Sequence, residues 1–210
     1  MNLEELKEIS ISLKKFREDR CLTFEKQAKG YIKNINEEFG EFLVATKNKD
    51  KYEVIDALCD LTVFTLNQIE SIEDDKLEYI LSGYKGRNEY LKLLHPSNAS
   101  MEEKIKYIEG YIQRSIFKFL DVVADSEILN KIKSDDYSIF ISSYYMGIGS
   151  WLAAIEYLGY DSYKAMTETL KEIHSRTGSY DETIGNWVKD TSEEAKSKWY
   201  KANYDNALKG

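Results

Sequence analysis

Residues 36–42 read NEEFGEF. Glu38 and Glu41 stand three apart, so on a helix advancing about 100° per residue they share one side, a turn apart. A second acidic set follows in EVIDALCD, where Glu53, Asp56 and Asp60 are again spaced three and four. The charged stretch KNKDK, residues 47–51, separates the sets and is short enough to be a tight turn. Two helices joined that way lie antiparallel and can face their acidic edges toward each other. Four or five carboxylates at that range repel strongly unless a cation sits between them. Oxygen donors without His or Cys suit a hard cation, Mg2+ or Mn2+. Such a cation keeps positions for water and phosphate oxygens, so the chemistry implied is a metal clamp on a polyphosphate with a water activated for attack on phosphorus.

The same spacing also describes an ordinary solvated helix face, common in a chain that is 31% charged. Two details favour a site. Asp56 and Asp60 are flanked by Ala57, Leu58 and Leu61, so they border the packed side. Gly40 costs a helix about 1 kcal/mol against Ala, which a close packing partner or a ligand would explain.

The elements that must position these residues are helices. One proline in 210 residues, with abundant Lys, Glu, Leu and Ile, predicts an all-α fold. Apolar periodicity predicts helices over about 3–17, 24–46 and 52–69. A helix over 77–94 is expected to break near Gly83 and Gly86 and to end at Pro96. Ser100 with Glu103 forms a capping box for a helix reaching Asp125. A short piece around 128–132 and a long helix over 137–157 follow. Gly159 ends the latter and Asp161 caps the next, 162–174. Residues 175–190 form a hairpin or an ordered loop, and Thr191 with Glu194 caps a last helix through Tyr200. The chain reads as a single domain over 1–210, with 71–140 a helical insertion.

Net charge is −8 and no polybasic run appears, which argues against a nucleic-acid polymer as partner. Cys21 and Cys59 are far apart and lack nearby histidines, so neither a disulfide framework nor a zinc site is expected. The acidic amphipathic N-terminus is wrong for a signal peptide, and no apolar run spans a bilayer. A cytoplasmic protein without a membrane partner is the expectation.

The stretch KQAKGYIKNINEEFGEFLVATKNKDKYEVIDALCDLTVF, residues 26–64, resembles the core of the MazG-like nucleotide pyrophosphohydrolases, especially phage-type members. The features that match are Lys26–Gln27, the EExxE at Glu37–Glu41, the short charged turn and the D-A-x-x-D run at Asp56–Asp60. KEIHSRTGSYDETIGNWVKD, residues 171–190, is similar to the family's closing segment. The resemblance implies a MazG-like helical bundle, in a superfamily that includes dimeric dUTPases and phosphoribosyl-ATP pyrophosphohydrolase. It implies Mg2+-dependent hydrolysis of nucleoside or deoxynucleoside triphosphates to monophosphate and pyrophosphate, a homodimer or tetramer, and the host cytoplasm if the chain is phage-encoded. Glu38 and Glu41 match the first metal-binding pair. The pattern ExxD fits at Glu53–Asp56, but the aspartate before the apolar run is Asp60; in that register the glutamate position is Ala57, with Asp56 beside it as substitute. Asp56 and Asp60 are therefore favoured as ligands, with Glu53 outer or alternative. Glu37 could position water or a second metal, and Lys171 and Arg176 would contact phosphate.

Residues 71–140 exceed what compact relatives carry and could be a dimerisation element or a wall of the base pocket. A catalytically altered helical binding or regulatory protein, with Ala57 as the lesion, is the competing class, and hydrolysis of another nucleotide such as an alarmone is a third. His95 and His174 do not follow a helical glutamate by three, so a di-iron bundle lacks its ligands. GIGSW, residues 147–151, reads as close helix packing rather than a cofactor loop.

Overall fold

The computed structural model describes residues 1–69, 73–94, 98–123, 138–183 and 186–209. The fold is all-α apart from one small hairpin: α1 (Leu3–Glu18), α2 (Phe24–Asn48), α3 (Lys51–Leu66), α4 (Asp74–Leu94), α5 (Met101–Val123), α6 (Ser138–Tyr157), α7 (Ser162–Ser175), β1 (Gly178–Asp181), β2 (Asn186–Lys189), α8 (Glu193–Lys198) and a 3-10 turn (Tyr204–Ala207). Pro96 and the piece expected at 128–132 lie outside the described residues.

The middle of the molecule is α3. Val54, Ile55, Leu58, Cys59 and Leu61 are fully buried, and the helix packs against α1, α2, α5, α6 and α7. A helix apolar on most of its circumference belongs in the interior, which leaves one narrow strip for Glu53, Asp56 and Asp60. It ends at Leu66 rather than Ile69, because Asn67 caps it and accepts a hydrogen bond from Arg17 at 2.5 Å.

Two expectations are corrected. Helix α4 runs unbroken through Gly83 and Gly86. Gly83 is a contact point: a Cβ on Gly149 of α6 would meet Tyr84 N at 2.9 Å and Gly83 C at 3.2 Å. The two helices therefore approach backbone to backbone, and GIGSW is close helix packing. The cap of α8 is Ser192, whose hydroxyl accepts from Ala195 N at 3.2 Å, one residue later than expected. The anticipated caps at Ser100 and Asp161 form, with Ser100 N bonded to Glu103 at 2.8 Å and Lys164 N to Asp161 at 3.0 Å. Gly159, at φ +93°, adopts the left-handed turn that ends α6.

Gly149→Ala should therefore lower the melting temperature by several degrees, because forcing a methyl into backbone costs about 1–3 kcal/mol and each kcal/mol is worth roughly 2–4 °C in a chain this size. Gly86, whose added Cβ meets nothing within 4 Å, makes the control: Gly86→Ala should hold or raise it by thermal denaturation.

Candidate metal centre

The site begins at a two-residue turn. Lys49 takes the left-handed conformation at φ +59°. Lys49 N bonds Thr46 O at 3.1 Å and Asp50 N bonds Ala45 O at 3.0 Å, which closes the end of α2 as a Schellman motif. Asp50 then caps α3 by accepting from Tyr52 N at 3.0 Å and Glu53 N at 3.3 Å. With no slack between them, α2 and α3 run antiparallel, and Glu38 comes level with Asp60.

Core packing sorts the carboxylates. Phe39 and Phe42 point into the core, Glu38 is half-buried, and Glu41 is exposed beside it. On α3, Ala57 is 3% exposed and faces the core, so the side chain presented at that turn is Asp56's, half-buried like Asp60. Glu53 is exposed one turn earlier, and Glu37 turns outward to pair with Lys33 at 3.5 Å. The space expected to hold a packing partner for Gly40 is open.

The half-buried acids stand close enough to act on one another's proton affinity. Burial, then Glu41 and Asp56, push the Glu38 carboxyl up to about 7. Burial, then Asp56 and Glu38, raise Asp60 well above the usual carboxylate range. Burial also raises Asp56, opposed by a hydrogen bond from Tyr204 and reinforced by Glu172 and Glu53. Among the described residues no three acidic, histidine or cysteine side chains are gathered into a finished cation cage. The cluster does contain Glu38 Oε2, buried and without a hydrogen-bond donor. An unpaired oxygen among like charges, in an all-oxygen donor set, fits a hard divalent cation.

Helix α7 and the residue after its end add two groups. Arg176 Nη2 pairs with Glu172 Oε1 at 2.8 Å, and its charge acts on Glu38, Asp56 and Asp60. Arg20 donates to the carbonyls of His174 (3.4 Å) and Arg176 (3.0 Å), which fixes the chain where α7 ends. Lys171 is turned elsewhere, its ammonium 2.6 Å from Glu168, so of the two cations only Arg176 joins the acids. His174 lies on the α1 side, 3.0 Å from Ser12 Oγ and edge-on to Phe16; His95 lies outside the described residues. Sequence reasoning missed Glu172 and Tyr204. Glu172 precedes Arg176 by four across the end of α7, an opposite-charge spacing that could have found it; Tyr204 had none. A cleft of about 540 Å3 opens beside Asp56 and Glu172, walled by Tyr52, Glu53, Lys201 and Asn203.

Residues 23–71 match the family model described as phosphoribosyl-ATP pyrophosphohydrolase, an all-α family related to MazG. The match takes in every acidic residue of α2 and α3 named above and supports nucleotide pyrophosphohydrolase chemistry in general terms. No curated protein and no solved structure matches the chain. Among the described residues no helix is long and apolar enough to cross a membrane.

A carboxyl raised from 4.5 to about 7 binds its proton more tightly folded than unfolded. It therefore withdraws stability as pH rises through that window. In EDTA, Glu38→Gln should be the more stable protein at pH 8, by on the order of 1–2 kcal/mol after allowing for water screening. The gap should close toward pH 5, as read by urea midpoints at the two pH values.

Proposed function

We propose that this chain hydrolyses nucleoside or deoxynucleoside triphosphates to monophosphate and pyrophosphate, with Mg2+ held by Glu38, Asp56 and Asp60 and with Glu41 and Glu53 at its edge. The observation that carries the reading is Glu38: a half-buried carboxylate with one oxygen lacking any donor, set among acids that raise its proton affinity, with Arg176 close by. Held by these residues, Mg2+ would offset the charge of the acids and of the phosphate oxygens and would make a water more acidic.

The chain's own groups do the rest. Arg176, anchored by Glu172, has a planar fork of donors suited to a phosphate oxygen on the acid side of the cleft. Its guanidinium offsets charge as the bridging P–O bond breaks and pyrophosphate leaves. Glu41, exposed on α2 beside Glu38, is the group assigned to orient the attacking water or accept its proton, while Glu37 turns away toward Lys33. The cleft walled by Tyr52, Lys201 and Asn203 is left for the nucleoside end. An acidic wall disfavours phosphate there, so the phosphates orient toward Arg176.

Pyrophosphate release from a panel of NTPs and dNTPs, with Mg2+ and with EDTA, tests the reading; metal-dependent release from one or a few is expected. Glu38→Gln and Asp60→Asn should abolish release while far-UV helicity is unchanged, and Arg176→Ala should lower kcat/KM by about 100-fold or more. Near-normal turnover in either carboxamide variant would show the site to be elsewhere. Metal binding without turnover of any nucleotide would favour a regulatory protein that kept the fold.

A further inference from the structure

The stretch WYKANYDNALK, residues 199–209, has no long helical period, buries Tyr204 and Ala207, and is held along its length by hydrogen bonds. Tyr200 N bonds Ser175 Oγ at 2.8 Å, Ala202 N bonds Glu172 Oε2 at 2.9 Å and Asn203 N bonds Glu168 Oε2 at 3.1 Å. Asp161 N bonds Ala207 O at 2.7 Å and Lys209 N bonds Gly159 O at 3.0 Å. Tyr52 reaches across from α3 to Asp205 at 2.6 Å. The segment is a strap laid over α7 and the start of α3, ending against the turn after α6.

Within it, Tyr204 is 4% exposed. Its hydroxyl meets Thr169 Oγ1 at 3.0 Å and also donates to Asp56 Oδ1. The one proton of the phenol goes to the carboxylate, the stronger acceptor, while the Thr169 hydroxyl has Ala165 O at 3.2 Å. Asp56 sits among Glu53, Glu172 and Asp60, and repulsion drives such a carboxylate to swing toward water. A neutral donor on Oδ1 holds the side chain at one rotation and leaves Oδ2 clear of that bond. It does so without the charge of a lysine, which would compete with a cation. Glu172 shows the same economy, with one oxygen on Arg176 and the other on the strap.

We propose that Tyr204 is a positioning residue that orients Asp56 for the divalent cation, so that the strap over residues 199–209 completes the metal centre. The inference rests on the pyrophosphohydrolase reading and concerns the chain's own side chains. Its test is Mn2+ affinity of the full chain without nucleotide, from the free-Mn2+ electron paramagnetic resonance signal. The variants are Tyr204→Phe and Tyr200→Phe; the second removes a hydroxyl that anchors the same strap to Glu168 and does not touch Asp56. Tyr204→Phe should weaken Mn2+ binding about tenfold or more, in the range seen when a group orienting a metal ligand is lost. Tyr200→Phe should stay within about twofold. Amide exchange at Asn203 and Lys209 should show the strap still docked in both.

Unchanged affinity in Tyr204→Phe overturns the positioning role and leaves the pyrophosphohydrolase reading standing. Equal loss in both variants, or loss of strap protection in Tyr204→Phe, makes the tyrosine a general anchor and also overturns it. A wild-type chain that neither binds Mn2+ nor turns over a nucleotide sinks the functional reading and this one with it.

Discussion

Like charge held at close range and partly out of water is the constraint from which the rest of the molecule follows. Glu38, Asp56 and Asp60 would separate if their backbones were free to move. They cannot, because each stands on a helix whose other faces are committed to the core. Phe39 and Phe42 lock one side of Glu38, and Ile55, Leu58, Cys59 and Leu61 surround Asp56 and Asp60. Each such side chain contributes on the order of 1.5–3 kcal/mol on burial, and together they exceed the roughly 4 kcal/mol that a partly solvated pair of carboxylates loses by repulsion. Hydrophobic packing therefore sets the distances, and the acids accept them by binding protons more tightly.

Glu168 shows the same chemistry resolved the other way. It is 3% exposed, and burial alone would raise its carboxyl. Bonds from Lys171, Tyr200, the Asn203 backbone and Asn206 outweigh burial and bring it down to about 2. Two glutamates in one small protein thus stand about five pH units apart, near 7 and near 2. The difference lies in their donors, four on Glu168 and none on the buried oxygen of Glu38. Donors saturate the carboxylate that secures the strap, whereas the buried oxygen of Glu38 has none.

The helices and the meeting of α2 with α3 were legible because both are local. Apolar period, caps at Ser100 and Asp161, and a short charged turn are written within a few residues of where they act. The register of α3 was ambiguous in sequence, since Glu53, Asp56 and Asp60 all satisfy a spacing rule; burial of Ala57 settles which face Asp56 occupies. Lys171 lies within α7, whereas Arg176 follows its end in extended backbone, so helical spacing does not relate the two. Gly83 and Gly86 read as a break because propensity counts only the helix itself, whereas Gly83 answers to Gly149 on another helix. Tyr204 was invisible for a related reason: no period or motif connects position 204 to position 56.

That separation bears on how the molecule comes to exist. The hydrogen bond from Tyr204 to Asp56 joins residues 148 apart, whereas α2 and α3 meet across a two-residue turn. Chain entropy favours the hairpin of helices early and the long-range contact late. A folding chain therefore passes through a stage in which the acids are already gathered and the strap is still loose. At that stage the repulsion is present without the hydrogen bond from Tyr204 to Asp56 or the strap's bond to Glu172. Whatever offsets that repulsion while the last segment finds its place then acts on the rate of folding as well as on the finished fold.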